Sequence, residues 1–358
     1  MRYFKEVYEN LFYKKPEDFN KFSNKEFLMH CLGANMYMSA TKDVLNKLLN
    51  KEFKNTGCIT FCFEDATKGS EVLFGENNVI NILTELNIAI QEDRLNEGHI
   101  PLIFLRVRNI KQFKEFSKRL NKEGFSILTG FIFPKFDSSN GEEYFYHLKK
   151  LNEVNNTIVY GMPIIESEKV IYKETRVEEL LRIKEIIDNY KDYILNIRVG
   201  GTDFSSKFGL RRKVTTSIYD IKVVSDCLID IINLFSRCDI KYAVSAPVFE
   251  YFSNDSNSKE VKGLLNEINF DIENGFTGKT VIHPSQVNFV NTMQVVSYED
   301  YIDAENIIEN ASKGGVFKGV YDNKMNEVMP HLNWAKKVIL RARAFGVLNE
   351  RINNFDLL

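Results

Sequence analysis

The stretch Asn196-Ile-Arg-Val-Gly-Gly-Thr-Asp-Phe204, read with Met162-Pro-Ile-Ile-Glu166 upstream, decides the fold. Each is an apolar run that stops abruptly at a carboxylate. Residues 194–199 read as a buried strand, and Gly200-Gly201 lets the backbone turn sharply before Asp203 is presented. Residues 158–165 read the same way, with Glu166 as the first acid beyond them. Carboxylates at the ends of two consecutive strands suit a hard divalent cation. Mg²⁺, with Mn²⁺ as a substitute, takes a few carboxylate oxygens and keeps its other positions for water or substrate. The alternative is that Asp203 caps a helix and Glu166 is a surface charge.

Outward from this pair, strand-like runs recur at residues 34–38, 58–63, 102–107, 127–133, 242–245 and 280–282. Between most of them lie stretches of helical period, such as residues 78–92, 110–121, 177–189 and 219–235. With the first two runs this makes about eight strands alternating with helices, the number that closes a (β/α)₈ TIM barrel of the α/β class. A doubly wound sheet is the competing architecture. The reading divides the chain into an N-terminal helical extension (1–30), with a helix expected at 4–12, the barrel (31–290) and a C-terminal helical tail (291–358). In the tail, residues 299–311 and 334–345 read as helices. The glycine-rich joint Lys313-Gly-Gly-Val-Phe-Lys-Gly-Val-Tyr321 lacks the Gly-Lys-Ser/Thr ending of a phosphate-binding loop and reads as a hairpin or turn.

Composition narrows the function classes. The hydrophobic share of 44% and charged share of 27% are those of a globular protein. A net charge of −2 offers no bulk attraction for nucleic acid or a membrane surface. No apolar run reaches the roughly 18 residues of a membrane span, and the first residues lack a signal-peptide core, so a cytoplasmic protein is expected. The five cysteines form no C-x-x-C pair and read as buried free thiols.

A barrel builds its site at the C-terminal ends of its strands. The second strand ends in Glu64-Asp65, the third in Arg106-Val-Arg108, the fourth in Pro134-Lys135, the fifth in Glu166, the sixth in Asp203 and the eighth in His283-Pro-Ser-Gln286. Such a set supports enolate chemistry. A metal on Glu166 and Asp203 would polarise the carbonyl of a small-molecule substrate, and Arg106 would stabilise the developing oxyanion. Arg108, two residues on, is expected on the same strand face and nearer the rim. Glu64-Asp65 also reads as helix-start charge, and His283 as a loop residue or a substrate contact. Arg211-Arg212-Lys213 reads as an anchor for a substrate phosphate or carboxylate, or as a solvated charge run.

Several of these segments carry a family resemblance. Phe61-Cys-Phe-Glu-Asp-Ala66, Leu105-Arg-Val-Arg108, Phe133-Pro-Lys135, Pro163-Ile-Ile-Glu-Ser167 and Phe276-Thr-Gly-Lys-Thr-Val-Ile-His-Pro-Ser-Gln286 resemble, in order, motifs of the citrate lyase β-subunit family within the HpcH/HpaI aldolase superfamily. Arg198-Val-Gly-Gly-Thr-Asp-Phe204, Phe208-Gly-Leu-Arg-Arg212 and Ser217-Ile-Tyr-Asp220 resemble a divergent branch, the C–C bond lyases associated with tellurium-resistance gene clusters. The resemblance implies a Mg²⁺-dependent lyase or aldolase acting through a metal-stabilised enolate of a 2-oxo acid or acyl thioester. It also implies a homo-oligomer, a trimer or hexamer. Carried over by position, Glu166 and Asp203 fall on the metal ligands, Arg106 on the oxyanion arginine, and Glu64 and Asp65 on the acidic pair behind it. Lys135, Arg108 and His283, at the same rim, are expected substrate contacts on position rather than through the resemblance.

Relatives that use coenzyme A carry a C-terminal Met-x-Asp-x-Pro segment whose aspartate acts in a neighbouring subunit's site. Met325-Asn-Glu-Val-Met-Pro330 is one residue longer, with Glu327 at the catalytic position, which leaves a coenzyme A thioester substrate in doubt. The apolar face formed by Trp334, Val338, Ile339 and Ala342 must bury somewhere. A neighbouring subunit is the expected cover, and a tail folded onto its own barrel is the alternative. The competing function is a catalytically silent barrel serving as a ligand-binding or complex-forming subunit.

Overall fold

The computed structural model describes every residue except Tyr8 and residues 239–241, together with all side chains but theirs and that of Glu9. Eight parallel strands form the central sheet: β1 (Ala34–Ser39), β2 (Cys58–Cys62), β3 (Leu102–Arg106), β4 (Leu128–Phe136), β5 (Tyr160–Ile165), β6 (Ile197–Val199), β7 (Val244–Ser245) and β8 (Lys279–Val281). The hydrogen-bonded order is β7-β6-β5-β4-β3-β2-β1-β8. A single parallel bridge, Ala246 to Lys279, joins the two outer strands and closes the TIM barrel. The barrel is thus most extensively paired through β1 to β5 and thinnest at β7, which has only two residues.

Alternation along the strands sorts the side chains into two shells. Ile59, Phe61, Ile103, Leu105, Phe131 and Ile165 pack outward, in one cluster with helix residues such as Val79, Phe113, Leu148 and Ile183. Their neighbours Cys58, Leu102, Phe104, Ile132, Met162 and Leu195 belong to a second cluster inside the barrel. That inner cluster continues into Met1, Tyr3, Phe19, Phe27 and Leu28, so the N-terminal segment plugs the end of the barrel where the strands begin.

The expected helix at residues 4–12 crosses Tyr8, outside the described residues. Around it the chain forms a turn at 3–6, a 3-10 turn at Glu9–Leu11 and a strand at Phe12–Lys14. Packing explains the difference: Tyr3 and Phe4 bury against Phe19 and Phe12, an arrangement of aromatic pairs that no single helical stripe provides. The helices expected in the tail are present as Tyr298–Glu309 and Val328–Phe345, and the glycine-rich joint forms a hairpin of Val316–Lys318 with Met325–Glu327. Among the described residues no helix is long and apolar enough to cross a membrane. Cys31, Cys58, Cys62 and Cys227 are buried free thiols as expected, but Cys238 is exposed.

The tail face expected to seek a neighbouring subunit is covered by its own chain. Val338 and Ala342 bury against Tyr301, Ala304 and Ile307, while Trp334 stays 39% exposed. Arg343 reaches Glu17 through two hydrogen bonds of 2.8 and 2.9 Å. Phe345 stacks on Tyr3 at 4.6 Å. Lys337 donates to the Ser236 carbonyl ahead of β7. These partners all precede strands, so the tail closes the N-terminal end of the barrel, away from the strand ends that bear the acids.

Candidate active site

β2, β3, β5 and β6 deliver Glu64, Arg106, Glu166 and Asp203 to one end of the barrel. A cavity of about 240 Å³ opens there, lined by Tyr37, Asp65, Arg106, Glu166, Arg198 and Asp203 among others. Arg106 is its hub: Nη2 lies 2.7 Å from Glu64 Oε2, 3.2 Å from Asp65 Oδ2 and 3.5 Å from Glu166 Oε1. Burial works against the guanidinium's charge, but Glu166 and the other acids outweigh it and hold the Arg106 pKa above its ordinary value. Burial raises the Glu64 carboxyl above its usual range, against the pull of Arg106. Asp65 is lowered: its own burial is outweighed by the hydrogen bond to Glu64 and by Arg106.

Pro134-Lys135 contributes through its backbone. Pro134 has no N–H to donate, and Lys135 takes a φ of 48°, in the left-handed region. The β4–β5 register breaks between Phe133 and Phe136. The freed Lys135 N–H donates to Glu166 Oε1 at 2.8 Å, and its Nζ donates to Glu64 Oε1 at 2.7 Å. The lysine therefore orients both acids rather than lining the cavity wall.

Gly200 makes room for Glu166: a Cβ there would stand 2.2 Å from Glu166 Oε2. Glu166 is 4% exposed, and burial pushes its carboxyl up to about 8, with Arg106 opposing and Asp203 adding to the rise. Asp203 sits in the first turn of the short helix Gly201–Ser206. No group of three or more His, Cys, Asp or Glu side chains suited to a metal occurs among the described residues. A closed structural zinc site therefore lacks its donor set. Mg²⁺ needs fewer protein oxygens, and a buried Glu166 carboxyl whose proton affinity Asp203 adds to fits a divalent cation that would relieve it.

Four expected contacts lie elsewhere. Arg108 donates to the carbonyls of Phe63 and Thr67, both at 3.3 Å, because β3 ends at Arg106 and strand alternation no longer carries it inward. Its role is to pin the loop after β2. Arg212 is not a surface anion anchor. It is buried against Glu267, donates from Nε to Glu250 at 2.6 Å and packs on the Phe249 ring. Glu267 in turn binds Lys279 at 2.9 Å, which reaches Asp271 at 2.8 Å. Arg211 is exposed and outside the cavity lining. His283 caps the helix Pro284–Gln294 and stacks on Phe252 at 4.2 Å. Breaking a buried ion pair by removing one partner costs about 3–5 kcal/mol, so Arg212→Ala is expected to lose that much stability in urea unfolding. Binding of small-molecule substrates should be unchanged in the folded fraction; a large loss of affinity with little loss of stability would restore the anchor role.

Glu327 closes the tail hairpin, and its backbone N–H donates to His331 Nδ1 at 3.0 Å. It lies with the tail, at the far end from its own barrel's cavity. The sequence reading passed over Arg198 and Tyr37, which line that cavity. The available signal was a charged residue in the middle of the apolar run 194–199.

The family model of C–C bond lyases of the TIM-barrel fold matches residues 26–347. The chain belongs to this family. The chain is 31% identical over 121 residues to citrate lyase subunit beta of Haemophilus influenzae, a match covering 33% of this chain and 41% of that protein. The chain thus spans less than half the length of that curated relative. A citrate lyase from Burkholderia xenovorans has the same fold, with a TM-score of 0.64 at 14% identity over 91% of this chain and 96% of that one. So does the CitE protein of Mycobacterium tuberculosis in complex with magnesium, acetoacetate and coenzyme A, with a TM-score of 0.55 at 15% identity over 88% and 99%. At these identities the likeness is one of fold.

Proposed function

We propose that this protein is a Mg²⁺-dependent lyase or aldolase that makes or breaks a carbon–carbon bond beside a carbonyl, through an enolate. The observation that carries the reading is Arg106 held among Glu64, Asp65 and Glu166 in a cavity shared with Asp203. Glu166 and Asp203 would hold the cation, which when bound supplies Lewis-acid polarisation of a substrate carbonyl. In the cleavage direction the electron pair of the breaking bond moves onto the oxygen of the fragment that stays behind. Arg106 presents fixed positive charge to that oxygen, and a preorganised donor in a dry site lowers the barrier without reorganisation. Glu64 and Lys135 fix the fork of Arg106 and the carboxylate of Glu166, and Asp65 completes the acidic cradle.

Magnesium bound by the distant CitE relative, together with acetoacetate and coenzyme A, supports a cation and a short oxo acid or an acyl thioester as the chemistry to try first. Glu327 enters the scheme only from a neighbouring copy. Mixed oligomers of Asp203→Asn and Glu327→Gln chains would regain activity if it does.

Calorimetry with Mg²⁺ and Mn²⁺, followed by a screen of 2-oxo acids and acyl-coenzyme A thioesters for metal-dependent turnover, tests the proposal. Micromolar to millimolar metal binding and turnover lost in EDTA are expected. A protein that binds neither ion and turns over none of these compounds would instead be a ligand-binding or complex-forming barrel.

A further inference from the structure

Inside the barrel, behind the acids, lies a second set of polar groups that the proposed chemistry leaves unused. Arg198 is 2% exposed and lines the same cavity. Its Nη2 donates to Thr280 Oγ1, but its Nε and Nη1 have no hydrogen-bond partner. Its guanidinium lies over the Tyr37 ring at 5.7 Å. Tyr37 also lines the cavity, and its buried hydroxyl is unpaired, as are both polar atoms of the Asn196 side chain just ahead of β6. Among the described residues no carboxylate forms an ion pair with Arg198, whereas Arg106 has three.

Buried polar groups are almost always satisfied, and an arginine keeps its charge at any working pH. A buried cation with free donors at the wall of a cavity calls for an anion that the fold does not supply. One guanidinium and one hydroxyl match the single charge of a carboxylate better than a phosphate, which carries roughly twice that charge. The depth also fits. Arg198 pairs in register with Ile164, two residues before Glu166, so its backbone lies about 7 Å below that of the rim acid at ~3.3 Å per residue. A small molecule with its reacting carbonyl at the rim would place a second carboxylate at that level.

We propose that Arg198 and the Tyr37 hydroxyl form an anion-binding floor, which takes the second carboxylate of a short dicarboxylic substrate. The inference rests on the rim being the reacting end, and it narrows the substrate class from 2-oxo acids in general to compact diacids. Burial raises the Tyr37 phenol above its usual pKa, against the pull of Arg198, so the hydroxyl remains a neutral donor.

The test compares matched probes by calorimetry, with Mg²⁺ and again in EDTA: malate against 2-hydroxybutyrate, and 2-oxoglutarate against 2-oxovalerate. In each pair only the far carboxylate becomes a methyl. Wild-type protein is expected to favour the diacid of at least one pair by tenfold or more. Arg198→Gln should erase the preference while leaving monocarboxylate affinity unchanged, Arg198→Lys should keep part of it, and Tyr37→Phe should reduce it. Arg198→Met, which removes a buried unpartnered charge, should melt without ligand at or above the wild-type temperature. No diacid preference in the wild type, a preference that survives Arg198→Gln, or a ligand-free melting point several degrees lower in Arg198→Met would each overturn the floor. Failure of the metal-site reading shows separately, as absence of Mg²⁺ binding in the same titrations.

Discussion

Asp203→Asn is expected to abolish Mg²⁺ binding and metal-dependent turnover while leaving the fold intact. The substitution removes a charge at nearly constant volume. Asp203 lies in the first turn of Gly201–Ser206, and its carboxylate forms no hydrogen bond or ion pair among the described residues. Changes at such positions are usually within about 0.5 kcal/mol, so the urea midpoint should barely move. Metal affinity should fall by more than about 100-fold, beyond the loss seen when merely an outer-shell partner is removed. Glu166→Gln makes a less clean comparison, because Glu166 also accepts from the Lys135 N–H and faces Arg106. Calorimetric titration of both variants beside the wild type is decisive. Unchanged Mg²⁺ affinity in Asp203→Asn would remove it from the metal site and leave Glu166 without a partner there.

Much of this site could be read before any coordinates, because strand ends announce themselves. An apolar run that breaks at Gly200-Gly201 and then presents an acid needs no tertiary information to be noticed. The barrel followed from the alternation of such runs with helical period, and the strand positions hold to within about three residues at their ends. What failed did so where local spacing stood in for tertiary contact. Arg106 and Arg108 share a face only while the strand lasts, and β3 ends at the first of them. Arg211-Arg212 looked like one charge run, yet the fold buries Arg212 on Glu267, 55 residues away in the chain, and leaves Arg211 in solvent. The tail's apolar face was legible, but its cover was not, since its partner helix Tyr298–Glu309 is equally amphipathic and belongs to the same chain. Arg198 was hidden for the opposite reason: it sits inside the run 194–199, read as a buried strand, and only its unpaired nitrogens mark it as more than a core residue.

Arg106→Lys is expected to lower kcat by about 100- to 1000-fold, with a much smaller change in KM. Removing one oxyanion donor typically costs about 2.7–4 kcal/mol of transition-state stabilisation. The geometry explains why lysine does not rescue it. Nη2 of Arg106 is already shared among Glu64, Asp65 and Glu166. A guanidinium so held still lines the cavity with donors to spare, its Nε having no partner. A lysine ammonium is a single point charge, and the nearby acids would draw it to themselves. Arg108→Lys is the control: its contacts are the Phe63 and Thr67 carbonyls, so its kcat should stay near wild type. Single-turnover kinetics on all three proteins, once a substrate is in hand, separates the chemical step from binding. If Arg106→Lys kept most of its activity and Arg198→Lys lost it, the oxyanion would lie against the other arginine of the cavity. Arg198 would then be the residue facing the reacting oxygen, and Arg106 only the counter-charge that keeps three acids together at the rim.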